Sequence, residues 1–101
     1  MENKDAVRAL SSLAQESRLD VFKLLVRKGP TGLAAGELSE KLGIPPATMS
    51  FHLKELSNAG LISSRRESRS IIYSADYRHM QELIDFLLEN CCADTDKGGK
   101  C

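Results

Sequence analysis

The chain has 101 residues, 42% of them hydrophobic, and its fourteen basic residues balance fourteen acidic ones. That length bounds one compact domain with a small core, which gains from sharing apolar surface with a second copy. No apolar run is long enough to cross a bilayer, and the charged start Met1-Glu2-Asn3-Lys4-Asp5 lacks the apolar stretch of a secretory signal. A membrane protein is excluded on that reading and a cytoplasmic location is expected.

A first helix is expected over residues 4–14, where Val7, Leu10 and Leu13 recur at roughly helical spacing. A second covers 16–28, with Leu19, Phe22, Leu25 and Val26 on one stripe, and Gly29-Pro30 stops it. Residues 31–34 read as a loop or a short extended piece. A short helix over 35–42 places Leu38 and Leu42 on one side and ends at Gly43. Ile44-Pro45-Pro46 makes a turn, with Pro46 suited to the first position of the helix over 47–59. That helix turns Met49, Leu53 and Leu56 inward and ends at Gly60.

The period then changes from helical to extended. Two strands, 61–66 and 69–74, join at Glu67-Ser68, and Ile71, Ile72 and Tyr73 carry the β-branched and aromatic signal. Asp76 can cap a last helix running to about Asn90. Its stripe of Met80, Leu83, Ile84, Leu87 and Leu88 matches the amphipathic template in full. The predicted fold is mainly α with a β-hairpin wing, in the order α-α-α-α-β-β-α: a winged helix-turn-helix. Residues 1–90 are expected to form this winged helix-turn-helix domain, and 91–101 a flexible, cysteine-bearing tail.

A neutral chain does not announce nucleic acid, so the distribution of charge decides. Between Lys41 and Arg78 six basic residues (Lys41, Lys54, Arg65, Arg66, Arg69, Arg78) meet three acids (Glu55, Glu67, Asp76). From Glu82 onward five acids meet two lysines. The first stretch can face phosphate and the second faces away from it. Residues 37–56 pattern as helix, glycine turn, helix, which presents the second helix to a major groove. Alone this is equally an ordinary αα-hairpin. The continuation Ser57-Asn58-Ala59-Gly60-Leu61-Ile62 into an arginine-bearing hairpin favours double-stranded DNA as partner.

The pattern Leu38-x-x-x-Leu42-Gly43, then Ser50-x-His52-Leu53-x-x-Leu56-x-x-Ala59-Gly60-Leu61, resembles the ArsR-type (ArsR/SmtB) metalloregulators over about residues 5–90. The resemblance implies a symmetric dimer, paired through its first and last helices, that represses until a ligand releases it. The sequence departs from the family at Pro45, where serine often caps the helix, and at Ser68, where glycine is usual in the wing turn.

On the second helix of the motif, Ala47, Phe51 and Lys54 face outward, flanked by Thr48 and Ser50. Residues near the start of a recognition helix reach base edges first, which makes Ala47, Thr48, Ser50 and Phe51 the base-reading candidates. Phe51 suits a thymine methyl; the plain alternative is a stray surface aromatic. His52 is either a histidine packed between helices or a donor to phosphate or base. Lys54 reads as a phosphate contact. Arg65, Arg66 and Arg69 surround the hairpin tip, where arginines lie over phosphates or enter a minor groove. No nucleophile–base–acid set or cofactor loop is visible, so no enzyme is expected.

The family's arsenic site on the first helix of the motif needs three cysteines, and the matching positions here are Ala34, Gly36 and Ser39. The zinc-sensing pattern of the last helix expects a histidine where Arg78 stands, with Asp76, His79 and Glu89 unable to complete it. Cys91, Cys92 and Cys101 remain, expected as thiols in a reducing compartment. Soft thiolates select soft ions, and the cluster resembles the tail-sited arsenic sites of some family members. Arsenic(III) or antimony(III) is the expected effector. Zinc, cadmium or lead on the same sulfurs, with Asp94 or Asp96 adding oxygen, stays open. So do thiol oxidation, a dispensable tail, and a winged-helix module that binds a protein and no DNA.

Overall fold

The computed structural model describes residues 1–95. Eight elements follow one another: α1 (Asn3–Leu13), α2 (Glu16–Lys28), β1 (Leu33–Ala34), α3 (Ala35–Leu42), α4 (Pro46–Asn58), β2 (Ile62–Glu67), β3 (Ser70–Ala75) and α5 (Tyr77–Leu87). The winged helix-turn-helix expected from the sequence is present, with one addition. Residues 33 and 34 form a two-residue strand that pairs antiparallel with β3, Leu33 opposite Tyr73 and Ala34 opposite Ile72. The sheet order is β1-β3-β2.

Local chemistry sets the boundaries. The Gln15 Oε1 accepts the Arg18 backbone N–H at 2.8 Å and opens α2. The Asp76 Oδ1 accepts the His79 N–H at 2.9 Å and opens α5, as its position suggested. Pro45 gives α4 no side-chain cap, and Pro46 fills a first-turn position whose N–H would have no helical partner anyway. Gly43 ends α3 in the left-handed conformation, φ 65°. Gly32 is required by packing: with φ +66°, a β-carbon there would run into the Tyr73 carbonyl and the Ile72 side chain.

The core gathers Val21, Phe22 and Leu25 of α2, Leu38 of α3, and Met49, Leu53 and Leu56 of α4 beneath Leu33, Leu61 and Ile62. It fixes α4 from behind and leaves its other face to solvent. Two findings bear on the terminal helices. In α1 the small residues Ala6 and Ala9 face the core, while Val7 is 60% and Leu10 43% exposed. In α5 only Leu83 of the expected stripe is buried, whereas Ile84, Leu87 and Leu88 are exposed. Leu83 therefore belongs to the protomer's own core rather than to a surface awaiting a partner.

The last helix ends at Leu87, three residues before the expected Asn90. Asn90 and Cys92 both take φ 62°, a left-handed backbone that cannot continue an α-helix, so the chain turns there.

Candidate nucleic-acid interface

The exposed face of α4 carries Ala47, Thr48, Ser50, Phe51 and Lys54, all open to solvent, and Met49, Leu53 and Leu56 lie on its buried face. A phenylalanine ring 54% exposed is costly in water, since its apolar area stays hydrated. It sits among small and polar neighbours midway along α4, on the face left open to solvent beside Arg18.

His52 is the member of the expected set that does not share this face. It is 4% exposed, and its Nδ1 accepts the Arg18 Nε–H at 3.3 Å. Burial lowers its pKa below the usual 6.5, and the Arg18 guanidinium beside it lowers it further. The packed-histidine alternative thus describes its place, a neutral acceptor between α2 and α4. Sequence reasoning missed Arg18 altogether. Its Nη1 also donates to the Ser12 carbonyl at 3.3 Å, and its central carbon lies 5.4 Å from the Phe51 ring centre.

The neutral state of His52 gives stability a sign. Above pH 6.5 the imidazole is neutral in both folded and unfolded chains and contributes nothing to the pH dependence. As pH falls below 6.5 the unfolded chain takes up the proton first, so stability is lost down through the folded pKa. The wild type is expected to lose Tm more steeply than His52→Gln below pH 6.5. Parallel Tm curves for the two proteins would contradict the assignment.

In the wing, β2 and β3 pair from Ile62 opposite Ala75 to Glu67 opposite Ser70. Ser68 takes φ 58° at the first central residue of the turn, the left-handed conformation for which glycine is usual. Arg66 and Arg69 are exposed on this hairpin. Arg65 is also exposed but is engaged elsewhere. Its Nε contacts the Glu67 Oε2 at 2.6 Å, and its two terminal nitrogens donate to the carbonyls of Pro30 (3.0 Å) and Thr31 (2.8 Å). It straps the wing to the loop after α2, which departs from the expected phosphate contact.

A helix-turn-helix domain model matches residues 13–65, from the end of α1 to the middle of the wing. The chain is 38% identical to the HTH-type transcriptional regulator YceK of Bacillus subtilis over 90 residues, covering 87% of this chain and 89% of that one. It shares its fold with an ArsR-like transcriptional regulator from Rhodococcus, at TM-score 0.79 and 23% identity over 93% of this chain and 85% of that one. It is similar to reduced HlyU from Vibrio cholerae, at TM-score 0.68 and 29% identity over 88% and 90% of the two chains. The chain belongs to the ArsR-type regulators.

An ArsR-type chain is a DNA-binding transcriptional regulator and not an enzyme, which agrees with the want of catalytic motifs in the sequence. Among the described residues no helix is long and apolar enough to cross a membrane. No group of three or more His, Cys, Asp or Glu among them could hold a metal ion. Of the α5 residues, Asp76 is engaged as the helix cap and His79 Nδ1 lies 3.7 Å from Glu82 Oε1. The other ring nitrogen of His79 is buried against Gly60. Cys91 and Cys92 lie in the turns after α5, exposed and half-buried respectively, with their sulfurs 3.6 Å apart. Cys101 and Asp96 lie outside the described residues.

Proposed function

We propose that this ArsR-type regulator is a homodimeric repressor that holds an inverted-repeat operator when ligand-free. On this reading it lets go when arsenic(III) or antimony(III) binds the reduced cysteines after α5. The observation that carries the DNA half is the open face of α4, where Ser50 and Phe51 stand beside Ala47 and Thr48 on a helix that is buried from behind. These four side chains read base edges, and Lys54, Arg66 and Arg69 hold phosphates. Arg65 supports the wing and His52 supports α4, so neither is assigned a DNA contact.

The effector half rests on the two sulfurs. A tetrahedral ion with metal–sulfur bonds of about 2.3 Å holds its sulfurs roughly 3.8 Å apart, and trivalent arsenic is similarly compact. The 3.6 Å separation of the Cys91 and Cys92 sulfurs suits two ligands of one ion. Two sulfurs do not complete a pyramidal three-thiolate site, and the third falls to Cys101 or to a small thiol from solution.

The closeness of the two sulfurs favours one second reading, in which oxidation of the tail cysteines is itself the signal. Comparing operator affinity of the oxidised and reduced protein without arsenite separates the two.

The DNA half is tested on a duplex selected from a random pool. Arg66→Ala is expected to weaken operator and random DNA alike and to reduce the slope of log affinity against log salt by about one. Phe51→Ala is expected instead to leave that slope alone and to narrow the operator-over-random ratio by about 5- to 100-fold. If Arg66→Ala changes sequence preference and Phe51→Ala does not, the roles are reversed. Arsenite added to the reduced protein should release the duplex.

A further inference from the structure

Arg18 occupies the first turn of α2, with its side chain half-buried and one guanidinium reaching three places at once. It donates from Nε to His52 and from Nη1 to the carbonyl of Ser12, and it lies over the Phe51 ring. Ser12 is itself buried in the last turn of α1, its hydroxyl donating to the Ala9 carbonyl at 2.8 Å. We propose that Arg18 is a positioning residue for DNA reading, holding the Phe51 ring on the exposed face of α4 and fastening that helix to the end of α1.

The chemistry suits this task. A guanidinium is always charged and donates only, so both hydrogen bonds run outward from Arg18 and their direction is fixed. Its planar fork can serve a ring nitrogen and a carbonyl while its flat face lies near an aromatic ring, which a lysine ammonium on a flexible stem cannot do together. An exposed phenylalanine otherwise samples several rotamers, and a cation near its face removes some of that freedom before DNA arrives. His52 gives the arrangement its second anchor, because it is buried and cannot move away from its place on α4. The consequence reaches beyond the ring: α1 carries the exposed Val7 and Leu10, and Arg18 adds a polar link from the end of α1 to the recognition helix beside the direct packing of α1 on α4.

The proposal rests on the reading of Phe51 as a base contact, and the test separates the two. The protein has three phenylalanines, Phe22, Phe51 and Phe86. Incorporating fluorophenylalanine therefore gives three fluorine resonances, with that of Phe51 assigned by Phe51→Leu. In Arg18→Met, which keeps the stem and loses the donors and charge, the Phe51 resonance is expected to shift or broaden while those of Phe22 and Phe86 stay. The operator-over-random ratio should fall about 3- to 30-fold, with affinity for random DNA and its salt slope unchanged. Arg18→Lys, which restores charge without the fork, should not rescue the ratio, and it supplies the same readings if the methionine variant fails to fold. An unmoved Phe51 resonance overturns the proposal. So does a uniform loss of affinity that lysine rescues, since that marks an ordinary phosphate contact. If Phe51→Ala itself leaves the ratio intact, the base-reading assignment fails, while the fluorine spectrum still decides whether Arg18 holds the ring.

Discussion

Leu87→Glu combined with Leu10→Glu is expected to convert the dimer to monomers and to weaken operator binding on the order of 100-fold or more. Both residues are exposed in the protomer, on α5 and α1 respectively. With Val7, Ile84 and Leu88 they leave more large apolar surface on the two terminal helices than a small monomer ordinarily shows. A symmetric partner covers such a surface with its own copy of the same patch. Two recognition helices held at a fixed separation bind two half-sites together, and a monomer loses that joint attachment. Glutamate at these positions disturbs the surface without opening the core. Leu83→Glu is a different experiment, because Leu83 is buried within the protomer and a carboxylate there would unfold it. A sedimentation mass that stays dimeric in the double variant, with circular dichroism unchanged, would remove α1 and α5 from the interface.

Cys91→Ser with Cys92→Ser is expected to leave the operator affinity of the reduced, ion-free protein unchanged and to abolish release by arsenite. The size of the effect lost is the coupling itself, roughly 5- to 150-fold in operator affinity for about 1–3 kcal/mol. The two sulfurs follow directly on the helix whose Ile84, Leu87 and Leu88 lie exposed, and they are remote in sequence from α4. An ion held there acts by favouring one arrangement of the two subunits over another. The acids Glu89 and Asp94 add repulsion toward phosphate only within about 8–10 Å, the range left by screening. A chain ending at Gly99 should keep part of the response, since it retains both sulfurs. Normal release by the double serine variant would falsify the site.

Much of this was legible in the sequence because it is local. Gly29, Gly43 and Gly60 mark the ends of helices, and the change of period after Gly60 marks the wing. The outward set on α4 follows from the inward set Met49, Leu53 and Leu56, since one helix face fixes the other. What was missed is long-range. The sequence leaves β1 open between a loop and a short extended piece, because two residues are too few to show a period and only β3 makes them a strand. Arg65 looked like its wing neighbours, yet the carbonyls it binds lie 34 and 35 residues away. Arg18 carries no local signal, because its role depends on a histidine 34 residues further along. The stripe on α5 was correct as a stripe, but periodicity does not say which member the protomer keeps and which it leaves for a partner. The helix end was misplaced because the backbone turns left-handed at Asn90 and Cys92, a conformation that asparagine favours but cysteine does not announce.

The central claim is that operator and thiophilic ion oppose one another on one dimer. Linkage makes that reciprocal: an ion that weakens DNA binding must itself bind more weakly to the DNA complex, by the same factor. The direct measurement is a calorimetric titration of the reduced protein with arsenite, free and saturated with its selected operator. The account predicts tight binding to the free protein and binding about 5- to 150-fold weaker on the operator, with Cys91→Ser/Cys92→Ser taking up no arsenite in either state. Equal arsenite affinity with and without operator would contradict it.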